Sequence, residues 1–419
     1  MSSTTLPLLD RQALASLPRL FVIGDAEPVR NRRGKRALRA LSLVFLLGLG
    51  AAGVAAVRGH HVMGTTSEIS WGILIATYVF FAVSSTGLCL VGSLGSVFGF
   101  KLFAPIDRRA ILLAWILLAL GFGVIASELE RPLLLAKLVL LSPNPRSPIW
   151  WMGTLYGVYF TLLSLELFFL LQNDHARARK AAIPKLVFAV AASSNLGAVF
   201  ALSHARPYWW GPLVPVYMIV TALVCGAALL ALLVWFGDVL GNGGALRPSS
   251  GPLLEALGKL LALFLGVLFL FTAWRTLAGL AGDHQGLAQV VQAMVSGPLF
   301  FSFWFFEVLL GIAAPLLILL SARRREPKLV ALAASLPVIS MLFVRYNFVY
   351  AGQMFSLKPV VGRLGEVINY APPFKGNLAG FLPYTPSLVE VLIVAGALSG
   401  AVLLYVVAAR ALGLEREES

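Results

Sequence analysis

The sequence contains few charged residues. Only 12% of its 419 residues are Asp, Glu, Lys or Arg, whereas 59% are hydrophobic, and the mean hydropathy is +0.86. This scarcity excludes an ordinary soluble domain and indicates a polytopic membrane protein. The formal net charge of +14 is only weak support for nucleic-acid binding, because the basic residues cluster beside apolar runs. We therefore predict contact with membrane lipid and no nucleic-acid partner.

Cysteine and histidine are also scarce. Cys89 and Cys225 both fall inside apolar runs and cannot form an iron–sulfur centre or another metal site by themselves. A b-type haem needs paired axial histidines within spans, and of five histidines only His204 lies at a predicted span, at its end. The sequence thus predicts no metal, no haem and no iron–sulfur cluster belonging to this chain.

Two further signatures are missing. Near the start there is no short apolar core followed by a small-residue cleavage site, so we expect no removable signal peptide. No P-loop sequence that would cradle phosphates occurs, which argues against ATP-driven transport.

Ten apolar runs are each near the roughly 20 residues that a transmembrane helix needs. They predict an all-α polytopic membrane protein with about ten transmembrane helices. The runs cover residues 38–57, 71–99, 110–127, 149–171, 183–203, 213–236, 253–282, 297–320, 329–348 and 386–409.

The basic residues of short loops predict the orientation. A basic segment at 1–37 precedes the first span at 38–57, and an even number of spans places both termini in the cytoplasm of a bacterial cell, with the chain in its inner membrane. Lys185 is counted among the inner-loop cations. The Pro- and Gly-rich stretch at 349–385 is predicted to be an external loop before the last span at 386–409.

The run at 71–99 has an unusual centre. It carries no formal charge, and Ser84, Ser85, Thr86 and Gly87 lie in its middle. Small residues let a neighbouring helix approach closely, and hydroxyl groups can form hydrogen bonds to it. We therefore expect this span to be packed tightly within the protein.

Polar and aromatic residues converge on the predicted outer half of the membrane. They are Trp71 and Tyr78 of the second span, Glu128 and Arg131 at the end of the third, and Asn195 and His204 at the end of the fifth. Such a set suits a flat apolar molecule with carbonyl ends, a quinone, whose protons a carboxyl or imidazole group can exchange. The structural alternative has about equal weight: Glu128 pairs with Arg131 at the surface, and His204 lies in a solvated loop.

Three ionisable residues lie deeper in predicted spans: Glu166, Arg275 and Glu307. Ionisable groups at such depths are costly and often functional, so a proton path through them is one hypothesis. For any single residue a buried ion pair or a neutral carboxyl group is the more common explanation. The same residues would serve a secondary transporter or ion channel, but Pro298 and Pro315 have no clear counterpart in the other half of the chain.

Several segments resemble the NrfD family, the membrane subunits of polysulfide reductase and its relatives. They are WGILIATYVFFAVSSTGLCLVGSLG at 71–95, ELERP at 128–132 and SSNLGAVFALSHARPYWWGPLVPVYMIVTAL at 193–223. GPLFFSFWFFEVLLGIAAP at 297–315 and RYNFVYAGQ at 345–353 are similar to the second half of its ten-span members. Those members include membrane subunits of quinone-linked hydrogenase and alternative complex III types.

The resemblance implies a fold and a function. It implies two four-helix bundles, here residues 71–203 with the quinone site and 213–348, with the first and last helices beside them. It also implies a quinone or quinol, either menaquinone or ubiquinone, bound near the periplasmic face. The expected partners are a ferredoxin-like iron–sulfur subunit and a molybdopterin, hydrogenase or multihaem cytochrome subunit. The chain would then be the quinone-reactive subunit of a respiratory oxidoreductase and not catalytic alone.

The resemblance also implies residue roles. The acidic residue of the ELERP stretch falls on Glu128, which becomes the expected proton ligand of the quinone. Many members have His where this chain has Asn195, so this position departs from the family, although an amide can hydrogen-bond a quinone carbonyl. His204 is a possible substitute. Proton movement across the membrane through Glu166 or Glu307 is a further option.

Overall fold

The computed structural model describes most of the chain. The described residues are 32–241, 246–248, 250–282, 286–321, 326–354, 360–361, 367–369 and 381–412. The predictions for residues 1–31 and for most of the loop at 349–385 lie outside them.

Within these ranges, ten helices are long and apolar enough to cross a membrane. In chain order the helices are α1 (Arg32–Arg58), α2 (Ile73–Ser96), α3 (Asp107–Glu128), α4 (Pro132–Leu141), α5 (Pro148–Leu171), α6 (His175–Ala201), α7 (Leu213–Gly241), α8 (Ser250–Ala281), α9 (Leu287–Ser296), a π-helix (Ser302–Ala313) that continues as α10 (Ala314–Leu320), α11 (Pro327–Ala351) and α12 (Leu388–Ala411). Short 3₁₀ turns cover Gly59–Val62 and Lys101–Ile106. The prediction of an all-α, multi-pass membrane protein is confirmed. The π-helix and α10 form one span together, and α4 and α9 are shorter apolar helices.

The predicted external loop begins and ends close together. The amide of Leu382 donates a hydrogen bond to the carbonyl of Met354 at 2.8 Å, and the hydroxyl of Tyr350 donates to the carbonyl of Leu382 at 2.8 Å. Between these ends, Val360–Val361 pairs antiparallel with Val367–Asn369. This two-stranded ladder is too short to change the fold class.

Helix α6 begins earlier than its apolar run. The side chain of Asp174 caps it by accepting a hydrogen bond from the amide of Arg177 at 3.0 Å, so the helix starts at His175 within polar sequence. Lys185 therefore lies in the third turn of the helix, fully buried, and not in an inner loop as predicted. The prediction was wrong because a cation near the end of an apolar run looks the same in sequence whether it faces solvent or the protein.

Helix α2 lies at the centre of the protein. It contacts α3, α6, α7 and α11, and 18 of its 24 residues are buried, in agreement with the tight packing expected from its small residues. At Gly87 its backbone touches the backbone of α7 at Gly226, and a Cβ atom on either glycine would collide with the opposite helix. This contact fixes the position of α2 relative to α7.

The other helices pack around this pair. Helix α5 lies against α6, α7 against α8 and α11, and α1 against α12, which in turn contacts α3. The division into two four-helix bundles stays a prediction, because α2 contacts helices of both proposed bundles.

The eighth span contains an irregular segment. Residues Ser302–Ala313 form a π-helix, and the chain returns to α-helical geometry at Ala314, with Pro315 in the first turn of α10. Proline fits there because its missing N–H has no intrahelical partner to lose. Extra residues of this kind in helices are frequent at functional sites, and Glu307 lies on this one.

We expect Gly87→Ala to lower the stability of the protein. The added methyl group would push α2 away from α7, and overpacking of this kind costs about 1–3 kcal/mol. Gly53→Ala is the matched control, because Gly53 also lies within a helix but has nothing within 4 Å of the added atom. The measurement is the thermal unfolding midpoint of the detergent-purified protein. Equal midpoints for the two variants would contradict the close helix contact.

Candidate functional site

Glu128 ends α3, and its carboxyl group is buried. The residue is 5% exposed, and among the described residues no side chain forms a hydrogen bond with either carboxyl oxygen. The backbone amide of Gly72 is the donor beside this carboxyl group, and the carboxyl group of Glu390 lies within electrostatic range. Arg131 is exposed, so the surface pair between Glu128 and Arg131 is not formed.

Glu390, whose carboxyl group lies near that of Glu128, accepts several hydrogen bonds. This residue lies in the first turn of α12, is completely buried, and accepts hydrogen bonds of 2.7 Å from the amides of Gly64 and Ser387 and from the hydroxyl of Tyr384. The same hydroxyl accepts a hydrogen bond from the amide of Ile73 at 2.8 Å, at the start of α2. Burial raises the pKa of Tyr384 well above its usual value. The phenol therefore keeps its proton and uses it to donate the hydrogen bond to Glu390.

Sequence reasoning missed Glu390. A signal was present, because Ser387 and Glu390 form a capping box at the start of the last span. The contacts of Glu390 with Gly64 and of Tyr384 with Ile73 join parts of the chain that are far apart and leave no local pattern.

The end of α3 that carries Glu128 is the Glu128 end. Further polar atoms without a partner lie deeper in the membrane. The ring of Tyr78 lies 6.4 Å from that of Tyr156, and the hydroxyl oxygens of Tyr156, Ser84 and Ser193 are buried without a hydrogen-bond partner in the described part of the chain. With Glu128, these atoms place one unsatisfied side chain on each of α2, α3, α5 and α6. Buried polar groups are normally hydrogen-bonded, so this set requires an explanation.

The other residues predicted for this site have different surroundings. Trp71 stacks on Trp209 with ring centroids 5.1 Å apart, and its backbone amide and carbonyl both bond to the side chain of Gln353. His204 is exposed, with its ring 5.7 Å from that of Trp210. Trp71 thus lies in a structural contact, and His204 faces the surface.

Asn195 tethers two helices. Its amide group donates a hydrogen bond of 2.9 Å to the carbonyl of Pro148, the first residue of α5. This bond links α6 to α5 and leaves the amide oxygen of Asn195 as the group that can accept a further hydrogen bond.

A cavity of about 880 Å³ lies at the opposite end of α3. Asp107, at the start of α3, lines it, as do residues from the ends of α2, α5, α6, α7 and α8. Since the 22 residues of α3 rise by about 33 Å, this cavity and Glu128 lie at opposite ends of the protein.

Glu166 lines the inner part of this cavity and forms an ion pair with Lys185. Both side chains are almost completely buried. Further into the protein, the hydroxyl groups of Tyr159 and Ser85 share a hydrogen bond of 3.0 Å, and the thiol of Cys89 lies beside Tyr159 and Lys185. Polar groups thus extend from the cavity toward the middle of α2.

A second polar cluster surrounds the π-helix. Glu307 accepts a hydrogen bond of 3.1 Å from the amide of Asn347, whose oxygen accepts one from Ser302 at 2.6 Å. Arg275 hydrogen-bonds the hydroxyl of Tyr208 and lies with its guanidinium 4.5 Å from the centre of that ring.

Arg345 on α11 was not identified from the sequence as a functional candidate. It is 1% exposed, donates to the sulfur of Met218 at 3.1 Å and also hydrogen-bonds Thr221. Its position inside an apolar run was the available signal.

The predicted deep residues thus fall into two places: Glu166 at the cavity, and Glu307 and Arg275 in the second half.

The Glu128 end fits a quinone in its chemistry. A quinone presents oxygen atoms at both ends of a flat ring, and the unpartnered hydroxyl groups of Ser84, Tyr156 and Ser193 are donors of the kind it needs. Neither the large cavity nor a smaller one beside Arg275 borders Glu128 or Tyr78.

Comparisons with known proteins identify the family. The sequence profile described as "Polysulphide reductase, NrfD" matches residues 61–357, which is more than half of the chain. A selenate reductase subunit of Mesobacillus selenatarsenatis is 26% identical over 349 residues, covering 74% of this chain and 80% of the relative. The Hdr-like menaquinol oxidoreductase integral membrane subunit of Archaeoglobus fulgidus is 26% identical over 389 residues, covering 90% of this chain and 94% of the relative. The chain therefore belongs to the NrfD family, as its sequence motifs indicate.

Proposed function

We propose that this chain is the quinone-reactive membrane subunit of a respiratory oxidoreductase complex and is not catalytic alone. The observation that carries the proposal is the buried carboxyl group of Glu128, which no side chain of the described residues hydrogen-bonds, in a chain of the NrfD family. A carboxyl group in this state is suited to exchange a proton with a bound ligand. The names of the relatives, a selenate reductase subunit and a menaquinol oxidoreductase subunit, support the same function.

The residues of α2, α3, α5 and α6 would hold the quinone. The hydroxyl groups of Ser84, Tyr156 and Ser193 would donate hydrogen bonds to its oxygens, and the ring of Tyr78 would offer apolar surface. When bound, a quinone supplies a two-electron, two-proton carrier. Glu128 would take up or release the proton on one side of the ring, and Asn195 would offer its amide oxygen to a quinol hydroxyl group.

Electron exchange requires partner subunits, because the chain is expected to carry no metal cofactor of its own. We assign these roles to a ferredoxin-like iron–sulfur subunit and to a molybdopterin, hydrogenase or multihaem cytochrome subunit. The basic residues near the ends of the apolar runs support an orientation with both termini in the cytoplasm. The Glu128 end then faces the periplasm of a bacterial inner membrane, where the iron–sulfur subunit would dock.

Proton movement across the membrane is a second candidate function. The observation that favours it is the large cavity, which reaches the buried pair of Glu166 and Lys185 from the end opposite Glu128. Tyr159 and Ser85 continue the polar groups inward, and Glu307 and Arg275 provide further ionisable groups in the second half. A secondary transporter or ion channel would use the same residues, but the relatives favour an oxidoreductase complex.

We expect Glu128→Gln to lower quinone-linked turnover by about 10²–10⁴-fold, the usual effect of losing a general acid or base. The complex should still assemble, because Gln has nearly the same shape and no existing hydrogen bond is lost. The measurement is oxidation of a short-chain quinol by the complex purified through this chain, with a dye as electron acceptor.

Glu130→Gln is the matched control for this experiment. Glu130 lies two residues away on the exposed surface, so removing its charge should leave turnover unchanged. Wild-type turnover in the Glu128 variant, with the complex intact, would remove Glu128 from the quinone site.

A second experiment tests the proton path. Removing only one partner of the buried ion pair would leave an unpaired charge, at a cost of about 3–5 kcal/mol, so both are replaced in the double variant Glu166→Gln/Lys185→Met. In vesicles containing the complex and a pH-sensitive dye, we expect quinone turnover to persist while the number of protons moved per electron falls.

The control for the proton path is Glu255→Gln. Glu255 forms a partly exposed pair with Lys259 at 2.9 Å and does not line the cavity, so its loss should leave the proton ratio unchanged. An unaltered ratio in the double variant would exclude the Glu166 pair from proton movement.

A further inference from the structure

The last span closes the Glu128 site through a second buried carboxyl group. Glu390 comes from α12, which lies outside the four helices that carry the predicted quinone residues. It is 0% exposed and accepts three hydrogen bonds of 2.7 Å, from the amides of Gly64 and Ser387 and the hydroxyl of Tyr384. Three donors on one carboxyl group stabilise its ionised form.

Both carboxyl groups lie near Gly72. A Cβ atom on this glycine would meet the carboxylate oxygen of Glu390 at 2.7 Å, and its backbone amide lies near the carboxyl group of Glu128. The oxygens of Glu128 have no partner of their own. Two negative charges this close in an apolar surrounding repel each other strongly, so the arrangement favours one proton for the pair.

The hydrogen bonds decide which group holds this proton. Glu390 accepts three hydrogen bonds, whereas Glu128 has only the nearby amide of Gly72 beside its oxygens in the described part of the chain. We infer that Glu390 is a positioning residue of the quinone site, whose fixed negative charge retains the proton on Glu128 between turnovers. This inference rests on the proposed quinone function.

A purely structural role for Glu390 explains less. The capping box of α12 requires an acceptor for the amide of Ser387, and a neutral Gln provides one as well as Glu does. Capping explains neither the hydrogen bonds that Gly64 and Tyr384 donate to Glu390 nor the second carboxyl group near Gly72. The substitution Glu390→Gln therefore keeps the cap and removes the charge.

The test measures turnover and protonation in the purified complex. With a short-chain quinol as substrate, we expect Glu390→Gln to lower kcat by at least about tenfold with KM unchanged, because the charge acts on the proton and not on binding. The double variant Glu128→Gln/Glu390→Gln should be no slower than Glu128→Gln alone, because the two residues act as a unit.

The structural control is Ser387→Ala, which removes the other half of the capping box and leaves both carboxyl groups in place. Its kcat should equal that of the wild type. If Glu390 is only a cap, Ser387→Ala will lower stability, and Glu390→Gln, which keeps the cap, will have the wild-type kcat, which would overturn the inference. A wild-type kcat for Glu128→Gln would instead overturn the proposed function.

Infrared spectra of the chain without added quinone give a second readout. The C=O band of a protonated carboxylic acid should be lost in Glu128→Gln. In Glu390→Gln the same band should only weaken, because the charge that retains the proton on Glu128 is gone. Loss of such a band in Glu390→Gln and its persistence in Glu128→Gln would overturn the inference.

Tyr384→Phe serves if the complex containing Glu390→Gln does not assemble. It removes one of the three donors to Glu390 and leaves both carboxyl groups present. A lower kcat at unchanged KM would support the inference, and a wild-type kcat would overturn it.

Discussion

A carboxyl group buried without a hydrogen-bond partner is the constraint on which this account depends. Such a group costs the protein about 1–3 kcal/mol or more relative to a satisfied one. Glu128 is held there by the packing of α2, since Gly72 precedes α2 and the Gly87–Gly226 contact fixes that helix against α7. The fold therefore maintains an unfavourable polar group at the end of α3, as proteins often do where a ligand or proton is exchanged.

The carboxyl groups near the two ends of α3 have different partners. At one end Glu166 is neutralised by Lys185 beside a large cavity, so the charges are paired although they are buried. At the other end Glu390 accepts three hydrogen bonds, and among the described residues Glu128 has only the nearby amide of Gly72. The first arrangement suits a stable structural pair or a relay for protons, and the second suits exchange with a ligand. This contrast supports a quinone at the Glu128 end more strongly than at the cavity.

The sequence predicted the spans well because a membrane helix requires about 20 apolar residues, and this requirement is local. It also placed Glu128 among the candidates, through an acidic motif at the end of a span. It did not predict the burial of Lys185, the role of Glu390 or the π-helix around Glu307, because these depend on contacts between distant segments. The bond from Gly64 to Glu390, for example, joins residues 326 positions apart. The contact of Asn195 with a quinone stays a prediction, and the bond from its amide group to the start of α5 was not foreseen because it joins two helices.

Covalent labelling of the intact complex with a photoreactive quinone tests the central claim most directly. After illumination and digestion, mass spectrometry locates the labelled residues. Labelling that decreases when excess unlabelled quinol is present is specific. The account predicts label that quinol can displace near Glu128, on peptides that contain Tyr78 or the end of α3. Displaceable label confined to peptides that line the cavity beside Glu166 would contradict it.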